Sequence, residues 1–201
     1  MRKDVIEVRK GSVSRRTAET DISVGLELDG TGKTEIHSGI GFFDHMLNLF
    51  AAHGLFDLEV QCKGDIEVDG HHSVEDIGIA LGDALKEALG DKKGIARYGS
   101  FYLPMDESLA FVALDISGRP FLVYDGGEMA PMIGGYDTEL TEEFLRAFAF
   151  HAGITLHVKV LYGTNSHHKV EAVFKALGHA LRVAAGKDDR IQGVPSTKGV
   201  L

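Results

Sequence analysis

The chain has 201 residues, 44% hydrophobic and 25% charged, with a formal net charge of -9 at pH 7. That suffices for a folded core and excludes disorder or a fibre, while the acidic balance argues against a general nucleic-acid surface. No stretch approaches the roughly 20 apolar residues of a membrane span, and the opening Met1-Arg2-Lys3-Asp4-Val5 lacks the apolar centre of a secretory signal.

From the N-terminus, Ile22 to Leu28 and Thr34 to His37 alternate or run β-branched and read as strands, with Asp29-Gly30-Thr31-Gly32 as a hairpin turn between them. Within this segment, Glu27-Leu28-Asp29-Gly30-Thr31 resembles the Asp-x-Asp-Gly-Thr motif of aspartyl-phosphate phosphatases. The nucleophilic first Asp is missing, so the hairpin reading stands. Asp44 is placed to cap a helix from His45 to about His53, stopped by Gly54. Leu55 to Val60 reads as a strand carrying on towards Cys62, the single cysteine, which excludes an internal disulfide and fits a reducing, cytoplasmic setting as a half-buried strand residue. After a turn at Lys63-Gly64-Asp65, the longest helix runs from His72 to Leu89. Val74, Ile77, Leu81, Ala84, Leu85 and Leu89 fall at helical spacing and Gly90 ends it. Beyond it come strands near Ala110 to Ile116 and Pro120 to Tyr124, then Gly-rich turns from Asp125 to Gly135. A helix from about Glu142 to His151, a strand Ile154 to Val160, a helix His168 to Ala185 and a tail Gly186 to Leu201 complete the chain.

The second series repeats the first. An offset of 88 lays Arg9-Lys10-Gly11-Ser12 over Arg97-Tyr98-Gly99-Ser100 and Glu19 over Glu107. An offset of 98 pairs His45 with Glu143 and His53 with His151. An offset of 96 superposes His71-His72-Ser73-Val74-Glu75 on His167-His168-Lys169-Val170-Glu171, then Gly82 on Gly178 and Ala84 on Ala180. The expected fold is therefore α+β: two repeated halves, residues 1–92 and 93–201, forming one compact unit. Each half is a mainly antiparallel sheet with two helices packed on one face.

Paired histidines followed by a carboxylate at a helix start point to metal. Residues three and four apart share a helix face, so the carboxylate lies near both imidazoles while the vicinal histidines point in different directions. One helix can hold one ion with a His/Glu pair and offer its other His to a second. With His45 and its repeat partner Glu143 added, eight ligands emerge: His45, His71, His72, Glu75, Glu143, His167, His168 and Glu171. Four donors for each of two ions suit manganese, iron or zinc and leave octahedral positions open. His53 and His151, near helix ends, read as structural, and His37, His157 and His179 as surface or core fillers. Arg97, Arg119 and Pro195-Ser196-Thr197-Lys198-Gly199 have the chemistry of a phosphate cradle, and equally that of ordinary solvated side chains. Glu19 and Asp106 read as acid/base groups or as surface carboxylates.

Gly41-Phe42-Phe43-Asp44-His45-Met46-Leu47, Asp69 to Asp76, Asn165 to Ala172 and Pro195 to Gly199 closely resemble the imidazoleglycerol-phosphate dehydratases in their monofunctional form, over nearly the whole chain from Arg9 to Leu201. The resemblance implies dehydration of imidazole glycerol phosphate to imidazole acetol phosphate in histidine biosynthesis. It also implies two manganese ions per site and a large homo-oligomer, commonly 24 subunits built from trimers. His45, His72, Glu75 and His167 would hold one ion, and His71, Glu143, His168 and Glu171 the other; the family commonly carries His where Glu143 stands. Arg97, Arg119, Ser196, Thr197 and Lys198, with Glu19, His45 and His53, would bind the substrate. Glu19 would transfer protons, with Glu171 or Asp106 as second candidates. The hydrogen removed sits beside no carbonyl, so the expected route is through an imidazolate that expels hydroxide to a diazafulvene-like species, then an enol and the ketone. Sites completed across subunits are expected as well. A metal-storage protein explains the His/Glu pairs but not the basic residues. A dinuclear phosphatase would be Asp-rich around its ions.

Overall fold

The computed structural model describes residues 8–199 and residue 201; the opening Met1 to Val5 lies outside them. The two halves share one topology. In the first, β1 (Lys10–Arg16), β2 (Thr20–Glu27), β3 (Thr34–His37) and β4 (Asp57–Gly64) form a sheet in the order β1-β2-β4-β3, with α1 (Gly41–Gly54) and α2 (His71–Leu89). In the second, β5 (Tyr98–Met105), β6 (Ser108–Asp115), β7 (Phe121–Asp125) and β10 (Thr155–Tyr162) order as β5-β6-β10-β7, with α3 (Leu140–Ala152) and α4 (Ser166–Ala185). A small hairpin, β8 (Met132–Ile133) and β9 (Tyr136–Asp137), sits in the Gly-rich connection of the second half. In each sheet only the edge pairs β3–β4 and β7–β10 are parallel.

Alternation makes the layers. Along β2, Thr20, Ile22, Val24 and Leu26 are buried while their neighbours face out. Helix α2 lies on β1 and β2, and α4 on β5 and β6. The helices also pair across the halves, α2 with α3 and α1 with α4, so the helical layers meet between two sheets. Phe43, Phe50, Phe144, Phe148 and Phe174 fill this middle layer. The repeated glycines are where it closes. A Cβ on Gly82 would lie 2.8 Å from the Phe148 carbonyl oxygen, and one on Gly178 would lie 2.4 Å from that of Phe50.

Three local expectations are corrected. The Asp29 to Gly32 segment is not a hairpin, because β4 lies between β2 and β3 and pairs with both. The connection crosses the start of β4, where the Asp57 carboxylate accepts the backbone N–H groups of Thr31 (2.7 Å) and Lys33 (3.0 Å). Asp44 does not cap α1, which begins at Gly41; its carboxylate accepts the Ser38 N–H at 2.7 Å. Gly54 is the last helical residue, and Leu55, at φ 57°, makes the left-handed turn. Gly54 is needed for a different reason: a Cβ there would sit 2.2 Å from the Phe56 ring. Strands β1 and β5, apolar only at alternate half-buried positions, were not separately legible. Among the described residues no helix is long and apolar enough to cross a membrane.

Candidate active site

Both histidine pairs stand at helix starts, as the spacing predicts. Asn165 caps α4, its side-chain oxygen accepting the His167 N–H at 2.9 Å; Asp69 accepts the His71 N–H at 2.8 Å ahead of α2. At the α1–α4 crossing, His45 Nε2, His167 Nε2 and Glu171 Oε2 come together. Glu171 Oε2 is 3.0 Å from His167 and 3.7 Å from His45, and all three atoms lie within 4.8 Å of one another. Octahedral donors about 2.1 Å from a common ion sit about 3 Å apart as neighbours and about 4.2 Å apart when opposite. The cluster thus fits a shared ion, and imidazole with carboxylate suits manganese, iron or zinc. Burial opposes ionisation of Glu171, but the Lys175 ammonium at 2.5 Å and His167 outweigh it and hold its carboxyl below the usual range.

The repeat-equivalent group lies at the α2–α3 crossing. His71 and Glu143 line a cavity of about 600 Å³, with Asp69, Asp137 and Glu139, and Glu75 follows His71 one helical turn on. Phe42 forms part of this cavity and meets the His167 ring edge-on at 5.0 Å, so it separates the two groups. Glu171 therefore stands with His45 and His167, whereas the resemblance had put His45 and His167 on one ion and Glu171 on the other.

The second histidine of each pair is held differently. His168 Nδ1 lies 2.7 Å from Glu107 Oε2, and His72 Nδ1 lies 3.0 Å from Asp65 Oδ2. These carboxylates raise both imidazoles above the ordinary histidine range. In both halves Nε2 faces another carboxylate at 3.8 Å, Glu19 for His72 and Asp106 for His168. The two acid/base candidates thus flank the candidate ligands His72 and His168, both largely exposed on the β1–β2 and β5–β6 turns. Asp106 occupies the left-handed region at φ 49°.

His53 stays outside the ligand cluster. Its Nδ1 is 3.2 Å from His179 Nε2, and His179 stacks on Phe101 at 4.1 Å. Burial lowers the basicity of both rings. The equivalent pair in the other half is His151 with Asp83, at 3.1 Å. Neither His53 nor His151 caps a carbonyl; each bonds across a helix crossing.

The basic residues gather elsewhere. Arg97, at φ 73°, grips Asp115 through Nε (2.7 Å) and Nη2 (3.1 Å) and donates from Nη1 to the Pro195 carbonyl at 2.9 Å. Arg119 Nη2 reaches Asp115 at 3.8 Å and its side chain is 69% exposed. Ser196 to Gly199 make a tight turn, with Ser196 Oγ accepting the Lys198 N–H, so Thr197 sits at its tip. Leu201 lies against Gly118. The five cradle candidates share one corner. That corner is remote from the histidines: from Glu107, which holds His168, to Asp115, which Arg97 grips, eight residues of β6 span about 26 Å. Along α4, Arg97 N–H bonds Ala184, sixteen residues and about 24 Å from His168.

Sequence reasoning missed Glu107, Asp65 and Lys175. Only Glu107 carried a signal, as the repeat partner of Glu19.

The family model for imidazoleglycerol-phosphate dehydratase matches residues 38–181. The imidazoleglycerol-phosphate dehydratase of Acetivibrio thermocellus is 63% identical over 193 residues, 96% of this chain and 99% of that protein. The one from Caldanaerobacter subterraneus subsp. tengcongensis is 61% identical over 194 residues, covering 96% and 100%. The crystal structure of the Staphylococcus aureus enzyme superposes with a TM-score of 0.81 at 40% identity, covering 89% of this chain and 99% of that one. That from Pyrococcus furiosus gives 0.81 and 40%, covering 94% and 100%. The family model and the relatives together define a hydro-lyase, an enzyme that removes water by breaking a carbon–oxygen bond. The chain belongs to the imidazoleglycerol-phosphate dehydratase family, whose reaction serves histidine biosynthesis.

Proposed function

We propose that the chain dehydrates imidazole glycerol phosphate to imidazole acetol phosphate in the cytoplasm, with two manganese ions held by His45, His71, His72, Glu75, Glu143, His167, His168 and Glu171. The observation that carries this reading is the convergence of His45, His167 and Glu171 donor atoms at ligand spacing. When bound, the ions would supply Lewis acidity towards the substrate's ring nitrogens. The chain's own residues supply the rest. Glu19 stands within reach of both His72 and solvent, suited to moving protons at the substrate's hydroxyl-bearing carbons, with Asp106 in the matching place beside His168. Arg119 and the Ser196-Thr197-Lys198 turn offer donors for the phosphate, and Arg97 orients the corner through Asp115 and Pro195.

Replacing Glu19 with Gln should lower kcat by roughly a thousandfold, within the range of general acid–base catalysis, while manganese content stays intact. Turnover near native in that variant would remove Glu19 from the chemistry. Incubating the native protein with imidazole glycerol phosphate and manganese should give the ketone without free phosphate.

The substrate cannot bridge the two regions of one chain. An imidazole joined through three carbons to phosphate spans roughly 10 Å at bond lengths near 1.5 Å, against the 24–26 Å estimated from helix and strand rise. The reading therefore includes a homo-oligomer, 24 subunits from trimers by family resemblance, in which one copy's histidines meet another copy's phosphate corner. Metal held at such junctions would couple occupancy to assembly. Chelation should shrink the particle in sedimentation and manganese should restore it; a full-sized, metal-free particle would contradict the coupling.

A further inference from the structure

Two of the paired histidines give one ring nitrogen to a carboxylate of their own chain. His168 Nδ1 lies 2.7 Å from Glu107 Oε2, and His72 Nδ1 lies 3.0 and 3.2 Å from the Asp65 oxygens. An ionised carboxylate only accepts, so each Nδ1 must carry the hydrogen, and the neutral ring then presents its lone pair at Nε2. Glu107 is firmly fixed. Its Oε1 accepts the N–H of Asn165 (2.7 Å), the N–H of Thr164 (3.0 Å) and the hydroxyl of Ser108 (2.9 Å). Those bonds hold its carboxyl far below the ordinary range.

The two carboxylates come from different elements. Glu107 sits on the β5–β6 turn, and its repeat partner is Glu19 on the β1–β2 turn. Had the halves stayed alike, Glu19 would hold His72 Nδ1. Instead its Oε1 approaches Nε2 at 3.8 Å, and Asp65, after β4, takes Nδ1. A bond serving only to fasten a loop has no reason to reappear on the same ring nitrogen from another element. A constraint on which nitrogen stays free does.

We propose that Glu107 and Asp65 are positioning residues that lock His168 and His72 as Nδ1–H tautomers, reserve both Nε2 atoms for metal, and leave Glu19 free for proton transfer. This rests on the dinuclear reading above.

Glu107→Gln tests it. The amide oxygen still accepts the Asn165 and Thr164 N–H groups, so the loop keeps its anchor. The amide NH2 then faces the ring, which must accept at Nδ1 and carry its hydrogen on Nε2. In metal-free protein labelled with 15N-histidine, at a pH alkaline enough to keep the ring neutral, the His168 signal, assigned by its loss in His168→Ala, should change from Nδ1–H to Nε2–H. Manganese affinity, read from the EPR signal of the free ion, should fall about 10- to 100-fold, as for other outer-shell partners of metal ligands. Asp65→Asn should do the same at His72. A purely structural role would lower the unfolding temperature and leave tautomer and affinity alone. If native protein binds two ions, unchanged affinity in Glu107→Gln, or a native ring already protonated on Nε2, overturns this inference alone. Native protein without tight manganese would overturn the dinuclear reading and this inference with it.

Discussion

Co-assembled His168→Ala and Arg119→Ala chains are expected to recover about a quarter of native turnover, although either variant alone falls by about two orders of magnitude or more. His168→Ala deletes a proposed metal ligand and Arg119→Ala a proposed, exposed donor to phosphate; each leaves the other's proposed function intact. If one active site takes its histidines from one copy and its phosphate corner from another, random mixing supplies an intact histidine end half the time and an intact phosphate end half the time. The product is one site in four. The expectation follows from length alone: β6 separates the two groups by about 26 Å, and Arg97 and His168 are tied to their ends of the sheet by direct bonds to Asp115 and Glu107. The measurement is turnover of purified mixed particles, dissociated without metal and reassembled with manganese. Mixtures no more active than the average of the two variants would mean that each chain carries a complete site.

Much of this architecture is written in the repeat. The offset of 96 that aligns His71-His72 with His167-His168 also aligns Ala84 with Ala180 and Gly82 with Gly178, while the offset of 88 aligns Gly11 with Gly99, and these are the contacts where strand meets helix and helix meets helix. The equivalence of His45 and Glu143 likewise leads to two helix crossings that carry matching donor groups. What stayed hidden depends on long-range choice. Alternation identifies a strand but not its neighbour, so β2 and β3 looked like a hairpin although β4 divides them. With 30 acidic residues in the chain, nothing local singles out Glu107, 61 residues before His168, as that ring's partner. The repeat itself misleads at Glu19, because the bond its counterpart makes to histidine has passed to Asp65. Duplication preserves the frame that packing requires; side chains that touch substrate or metal are free to diverge between halves once each half-site does a different task.

Gly99→Ala is expected to destabilise the protein by about 3 kcal/mol or more, the upper range for forcing atoms into a filled core, and Gly11→Ala by a similar amount. The added Cβ on Gly99 would stand 2.0 Å from the Ala180 carbonyl oxygen of α4, and on Gly11 1.9 Å from that of Ala84 in α2. Neither obstacle is a side chain that can rotate away. Each is the backbone of a helix whose opposite face is packed on a helix of the other half, so relief requires sliding a strand and its sheet off the middle layer. At roughly 2–4 °C per kcal/mol for a chain of this size, the unfolding midpoint should drop by about 10 °C, at fixed protein and manganese concentration because the proposed assembly and metal would also shift it. Gly41→Ala is the control: a Cβ there meets nothing within 4 Å at the first residue of α1, where alanine favours the helix. Equal midpoints for Gly99→Ala and Gly41→Ala would show that the strand–helix layer yields easily. The glycine repeat would then lose its structural meaning, and with it the reason that β5 and β6 hold Glu107 and Asp115 at fixed opposite ends of the sheet.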